Sequence, residues 1–161
     1  MNRHLTPFVI TMFITTAAIA QLPVRHVLPL ETAKHMAEAA QTHCNELGYD
    51  VSVHIVDHAG NTLVGYRGDD TGVHTFVLSY RKAYTAMSFD RPSAVFRERI
   101  DNGDMGPQLQ LMLPDTAGQQ GGLPIHVGEE VIGGIGVAGG GRGSDAICAQ
   151  AGIDAIADLL Q

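Results

Sequence analysis

The segment 73–89, VHTFVLSYRKAYTAMSF, gathers side chains that could bind a metal centre and an anionic ligand. His74 stands where a loop meets this segment, and an imidazole nitrogen is a common ligand for transition metals. Arg81 and Lys82 can donate charge-assisted hydrogen bonds to carboxylates such as propionates, and Thr85 adds a hydroxyl. We expect a ligand site here with His74 as the metal ligand. The alternative is that these residues are a helix-capping neighbour and ordinary solvated charges.

A second candidate is the glycine-rich stretch GGIGVAGGGRGSD, residues 133–145, in which Gly134, Gly136 and Gly139 follow the spacing G-x-G-x-x-G. A dinucleotide site needs a further parallel strand with an acidic residue after the helix. The residues that follow offer no such strand, so we do not expect a dinucleotide site.

Alternation along 131–137 leaves one strand face almost without side chains, which lets a packed helix, a flat ligand or a second subunit approach the backbone. We expect Gly134, Gly136 and Gly139 to contact a ligand, with glycines that serve packing alone as the alternative. Beyond Gly139, backbone N–H groups near a helix N-terminus could hold a carboxylate or phosphate.

Hydrophobic periodicity places these segments in an α+β domain. Adjacent strands joined by tight turns pair antiparallel, so we predict an antiparallel β-sheet of about four to five strands with helices packed on it, in a single domain over residues 30–161. A long loop at 101–124 suggests a functional or interfacial role. The predicted helices are 30–48, 73–89, 94–100 (capped by Ser93) and a last one capped by Ser144 or Asp145; the predicted strands are 51–57, 62–66, 125–127 and 130–138.

Residues 1–20 have the layout of a secretory signal peptide, with a basic start, an apolar run and a small-residue cleavage site at Ala18-Ile19-Ala20. An uncleaved anchor or a helix is the alternative. With residues 21–29 as a leader segment, we expect a periplasmic or secreted protein. Cleavage would leave 9 basic and 17 acidic residues, a formal charge of −8. Such an acidic domain is a poor candidate for binding nucleic acid or an anionic membrane.

Cys44 and Cys148 form neither C-x-x-C nor C-x-x-C-H, which excludes covalent haem attachment of the c type. They could pair in an oxidising compartment or be two buried, small apolar side chains. No G-x-S-x-G, H-E-x-x-H or Walker motif is present, so a binding protein is favoured over an enzyme. Seven histidines would remain after cleavage: His26, His35, His43, His54, His58, His74 and His126.

Four stretches together resemble the GlcG/HbpS haem-binding family, which includes the C-terminal domain of PduO-type proteins. They are VHIVDHAGNTLVGYR, RKAYTAMSFDRPS, GGLPIHVGEEVIGGIGVAGG and DAICAQAGIDAI. The resemblance covers residues 28 to 160. It implies an α+β domain that assembles as a homo-oligomer, often an octamer, and binds haem, with corrinoids tied to some members. It transfers no single ligand signature, so His74 and Thr85 remain candidate ligands.

The resulting hypothesis is an exported, oligomeric protein that holds haem non-covalently at a groove. His74 is the expected axial ligand, Arg81 and Lys82 face the propionates, and the glycine-faced strand makes room for the flat ring. The alternatives are a protein that binds a corrinoid or a small organic carboxylate, and an enzyme of haem degradation or peroxide chemistry.

Overall fold

The computed structural model describes residues 22–141 and 143–160, so the signal peptide predicted for residues 1–20 lies outside the described residues. The helices are α1 (Leu30–Glu46), α2 (His74–Phe89), α3 (Ser93–Asp101), α4 (Leu109–Met112) and α5 (Ser144–Asp154), followed by a 3-10 turn at Ala157–Leu159. The strands are β1 (Ser52–Asp57), β2 (Thr62–Arg67), β3 (Gly122–Val127) and β4 (Glu130–Ala138).

The four strands form one sheet in the order β2-β1-β4-β3, and every neighbouring pair is antiparallel. Helices α1 and α5 pack on one face, while α2, followed by α3, packs on the other. The predicted α+β class and antiparallel sheet are therefore confirmed. Because both faces of the central strand β1 are covered, Ser52 and His54 are buried, as is Val53 between them.

The larger apolar core lies between the sheet and the pair α1 and α5. Apolar side chains from both helices and from β1 and β4 fill it, with Met36, Ile55 and Ile135 among the largest that are fully buried. A disulfide joins Cys44 of α1 to Cys148 of α5 within this layer. Of the two alternatives for the cysteines, the structure thus shows the pair.

The face of β4 that carries Gly134 and Gly136, and therefore has almost no side chains, lies against α2. A Cβ atom on Gly136 would stand 2.1 Å from the Ser79 carbonyl oxygen, and one on Gly134 would stand 2.4 Å from the Ala83 carbonyl oxygen. Both distances are far below van der Waals contact, so only glycine lets the helix backbone come this close. Among the three partners expected for this face, the packed helix occupies it. The assignment of Gly134 and Gly136 to ligand contact is therefore corrected, because α2 fills the space meant for a flat ring.

Two predicted caps also differ in the structure. Ser93 begins α3 without capping it, and its hydroxyl donates to the Gln119 carbonyl (2.5 Å) and accepts from the Gly122 N–H (2.9 Å). Helix α5 begins after Gly143, whose φ of 87° suits glycine, and no side chain caps it. The long loop contains the short helix α4, which the sequence did not indicate. No helix within 22–141 and 143–160 is long and apolar enough to cross a membrane.

Candidate functional site

An open cleft with a volume of about 820 Å³ lies beside the N-terminal half of α2. Its walls come from the connection after α1, the loop before α2, the glycine loop after β4 and the segment before β3. No single stretch of sequence supplies it. The lining residues are Gly48, Tyr49, Asp50, Asp70, Thr71, Gly72, His74, Thr75, Leu78, Lys82, Gln119, Gln120, Gly139, Gly140, Gly141 and Asp145.

His74 is the first residue of α2 and stands exposed at the cleft. The imidazole lies over Gly72, where a Cβ atom would come within 2.7 Å of the ring carbon Cε1. The absence of a side chain at Gly72 thus makes room for the ring. The imidazole has no hydrogen-bond partner among the described residues, so its lone pair is open to a ligand.

A cluster of buried hydroxyls holds the turn that carries His74. The Thr75 hydroxyl donates to the Gly72 carbonyl (2.7 Å), so it accepts from the hydroxyls of Ser52 (2.8 Å) and Thr71 (3.2 Å). This cluster ties the loop before α2 to β1. The imidazole therefore stands on a well-anchored helix start.

The floor of the cleft is an ion pair between Lys82 and Asp145, and both residues are buried. The Lys82 Nζ donates to Asp145 Oδ2 (2.7 Å) and to the Val137 carbonyl oxygen (2.8 Å). Burial lowers the pKa of the Lys82 ammonium, and the Asp145 carboxylate opposes that shift. The chain itself therefore provides a carboxylate partner for Lys82, and contact between Lys82 and a propionate stays a prediction.

Asp145 also binds the glycine loop that follows β4. Its Oδ1 atom accepts a hydrogen bond of 2.9 Å from the Gly140 N–H. This N–H is one of the backbone donors expected to bind an external anion, and in the structure it binds Asp145. Asp50 and Asp70 add two further carboxylates to the lining. With Lys82 neutralised by its partner, the lining is acidic and disfavours a carboxylate ligand.

The structure brings together some of the predicted site residues and separates others. His74, Lys82 and Gly139 line the cleft. Arg81 is exposed on α2 outside the lining. Thr85 is buried, and its hydroxyl donates to the Arg81 carbonyl (2.7 Å) and accepts from the Ala117 N–H (2.8 Å). Thr85 therefore anchors the long loop instead of facing the cleft.

Sequence reasoning missed His54, which is 3% exposed beneath α2. The Ser79 hydroxyl donates to the Phe76 carbonyl (2.9 Å), so it accepts from His54 Nδ1 at 2.8 Å. Burial lowers the pKa of His54 to about 4. His54 lies on the polar face of the alternating strand β1, and α2 buries that face. Across the described parts of the chain, no three histidine, cysteine or acidic side chains cluster as metal ligands.

The family model described as "Haem degrading protein HbpS-like" matches residues 28–154. The chain belongs to this family. An uncharacterized 15.0 kDa protein in the dhaT-dhaS intergenic region of Citrobacter freundii is 34% identical over 137 residues, covering 82% of this chain and 94% of that protein. Protein GlcG of Escherichia coli strain K12 is 28% identical over 112 residues, covering 70% and 81%.

Solved structures share the fold of this HbpS-like chain. The crystal structure of HbpS matches with a TM-score of 0.77 and 36% identity, covering 90% of this chain and 99% of that one. A complex named PduOC:Heme matches with a TM-score of 0.77 and 26% identity, covering 81% and 96%. The resemblance to the GlcG/HbpS family is therefore confirmed.

Proposed function

We propose that this HbpS-like chain binds haem non-covalently in the cleft, with His74 as the ligand to iron. The observation that carries the proposal is the exposed imidazole, seated over Gly72 beside a cleft of about 820 Å³. That volume lies within the range of about 300–1,000 Å³ typical of cofactor sites. Membership of the family and the likeness to a haem complex support the same ligand.

The lining residues provide a ligand for iron and apolar surface for the ring, and their negative charge limits where the propionates can lie. His74 offers the single axial donor that haem needs, and Leu78 and Tyr49 give the lining apolar surface. The carboxylates of Asp50 and Asp70 repel propionates, so those groups would lie on the open side of the cleft. Bound haem would supply an iron centre able to bind or react with small molecules.

The disulfide supports two parts of the proposal, namely that haem is bound non-covalently and that the protein is exported. Because Cys44 and Cys148 are paired, neither offers a thiol for a thioether link, as a non-covalent mode requires. Disulfides persist in oxidising compartments, which supports export to the periplasm or beyond. Mass spectrometry of the secreted protein would test both, since export predicts a chain that begins near Gln21 with no free thiol.

We also propose that the chain forms a homo-oligomer, the octamer being one possibility. Large apolar side chains remain exposed on α2, on α4 and just before α2, namely Val77, Leu111, Met112 and Val73, and such surfaces are typical of subunit contacts. Light scattering on the purified protein tests this proposal. A single-chain mass at every concentration would refute it.

The central test is a haemin titration of the protein without residues 1–20, followed through the Soret band. We expect saturable binding, with affinity reduced at least about tenfold in His74→Ala. The matched control is His35→Ala, which removes an exposed imidazole from α1 and leaves binding unchanged. Equal binding by both variants would reject His74 as the ligand, and the absence of a Soret band would reject haem. A parallel titration with cobalamin tests the corrinoid alternative.

Haem degradation is a second candidate, because the description of the matching family contains that activity. It predicts that the Soret band of the complex decays when peroxide or a reductant is added, with release of open-chain tetrapyrrole products. A carrier would leave the porphyrin intact. Chromatography of the extracted pigment separates the two outcomes.

A further inference from the structure

Lys82 has two features that a purely structural ion pair does not require: it lines the cleft, and one of its ammonium protons is unpartnered among the described residues. The side chain is 2% exposed and lies at the cleft floor, although lysine is among the residue types least often buried. Two of its three ammonium protons are donated, to Asp145 and Val137. The third has no partner among the described residues. The sequence contains one other lysine, the half-buried Lys34 on α1.

The surroundings of Lys82 suit an amine nucleophile. Reaction with a carbonyl carbon needs the unprotonated amine, which desolvation favours. Burial lowers the pKa of Lys82, and the Asp145 carboxylate lies 2.7 Å away to accept the departing proton. At Lys34 the opposite holds, since its hydrogen bond with Glu31 raises the pKa.

We propose that Lys82 forms a reversible imine with a small, uncharged aldehyde bound in the cleft. The lone pair of Nζ forms a bond to the carbonyl carbon, and Asp145 takes the proton that Nζ releases. The carbonyl oxygen gains that proton and a second one from Nζ by way of the same carboxylate. It then leaves as water while the C=N bond forms, so the step requires no oxidant or reductant.

The charge of the lining selects the substrate class. Asp50 and Asp70 repel anions, and the Gly140 N–H is already bonded to Asp145. A 2-oxo acid or an aldehyde acid would bring its carboxylate into this acidic cleft, where the described lining residues offer no free cation to meet it. An uncharged aldehyde carries no such cost. The proposal does not depend on haem binding, and failure of the haemin titration would leave it standing.

The test uses the two lysines of the intact, disulfide-bonded protein as an internal pair. The protein is incubated with butanal and cyanoborohydride, which traps imines as butyl-amines, and peptide mass spectrometry measures labelling at each lysine. The ratio of Lys82 to Lys34 labelling is compared between native protein and protein unfolded in urea. We expect the native ratio to exceed the unfolded ratio, because burial lowers the pKa of Lys82 in the folded protein while the hydrogen bond with Glu31 raises that of Lys34. A native ratio below the unfolded one would show a sealed structural lysine and overturn the proposal.

Two further measurements sharpen the result. Replacing butanal with 4-oxobutanoate, an aldehyde of equal chain length with a carboxylate, should lower labelling of Lys82 more than that of Lys34. Asp145→Asn should slow labelling of Lys82, because loss of the proton acceptor outweighs the larger free-amine fraction that loss of the carboxylate gives, and it should leave labelling of Lys34 unchanged. Equal effects at both lysines would contradict a role for the cleft. If Asp145→Asn fails to fold, the native-to-unfolded ratio of the wild-type protein still decides the proposal.

Discussion

Acid should destabilise this protein through His54, because folding holds that imidazole neutral. The ring is 3% exposed, and Nδ1 bonds to Ser79 in a site that contains no carboxylate partner among the described residues. Phe76 and Tyr80 pack edge-on against it. A proton on Nε2 would therefore place an uncompensated charge beneath α2.

The size of the effect follows from linkage between protonation and folding. Burial lowers the pKa of His54 from 6.5 to about 4, so between these values the unfolded chain binds more protons than the folded one. Stability is therefore fully present above pH 6.5 and is lost as the pH falls toward 4. The whole shift corresponds to about 3 kcal/mol, of which about 2 kcal/mol should be lost between pH 7 and pH 5.

Urea unfolding of the wild-type protein and of His54→Asn at pH 7 and pH 5 measures this contribution. Asparagine keeps an N–H donor near the position of Nδ1 but does not titrate. We expect the wild-type protein to lose about 2 kcal/mol more than the variant over this range. His35→Asn, an exposed substitution on α1, should keep the wild-type pH dependence. If His54→Asn shows the same acid loss as the wild-type protein, His54 does not carry the effect.

Three variants test the packing of the fold. Gly136→Ala should cost about 1–3 kcal/mol or more in unfolding free energy, since its Cβ would meet the backbone of α2; the exposed Gly106→Ala is the control expected to be tolerated. Replacing Cys44 and Cys148 by alanine should cost about 3–5 kcal/mol, because the disulfide closes a separation of 104 residues; equal thermal stability would contradict this. Thr85→Val should cost about 1–3 kcal/mol by leaving a loop N–H unpaired, and Thr85→Ser should restore it. Denaturant titration measures each change.

The elements of this fold were predictable because local pattern and burial agree over most of the chain. Apolar residues at helical spacing located α1 to within two residues of its end at Glu46, and the turn at Gly128 located the β3–β4 hairpin. The sheet order was not predictable. The two hairpins meet through β1 and β4, residues far apart in sequence, and no local pattern specifies which strands become central.

The candidate site was predicted only where one short segment supplies it. His74 could be singled out from its place at a helix start. The remainder of the cleft comes from segments around Tyr49, Asp70, Gln120 and Gly140, which only tertiary folding brings together. Lys82 was assigned to solvent-facing chemistry because its neighbours in sequence gave no indication that Asp145 would enclose it.

The glycines of β4 determine the depth of the cleft as well as the packing of the fold. Because Gly134 and Gly136 let the backbone of α2 lie against the sheet, Lys82 on that helix can reach both the Val137 carbonyl and Asp145. A helix held farther out would withdraw the ammonium from both partners and shift His74 with it. A folded Gly136→Ala protein should therefore bind haemin more weakly although Gly136 touches no ligand. An unchanged haemin affinity in that variant would show that the cleft does not depend on this contact.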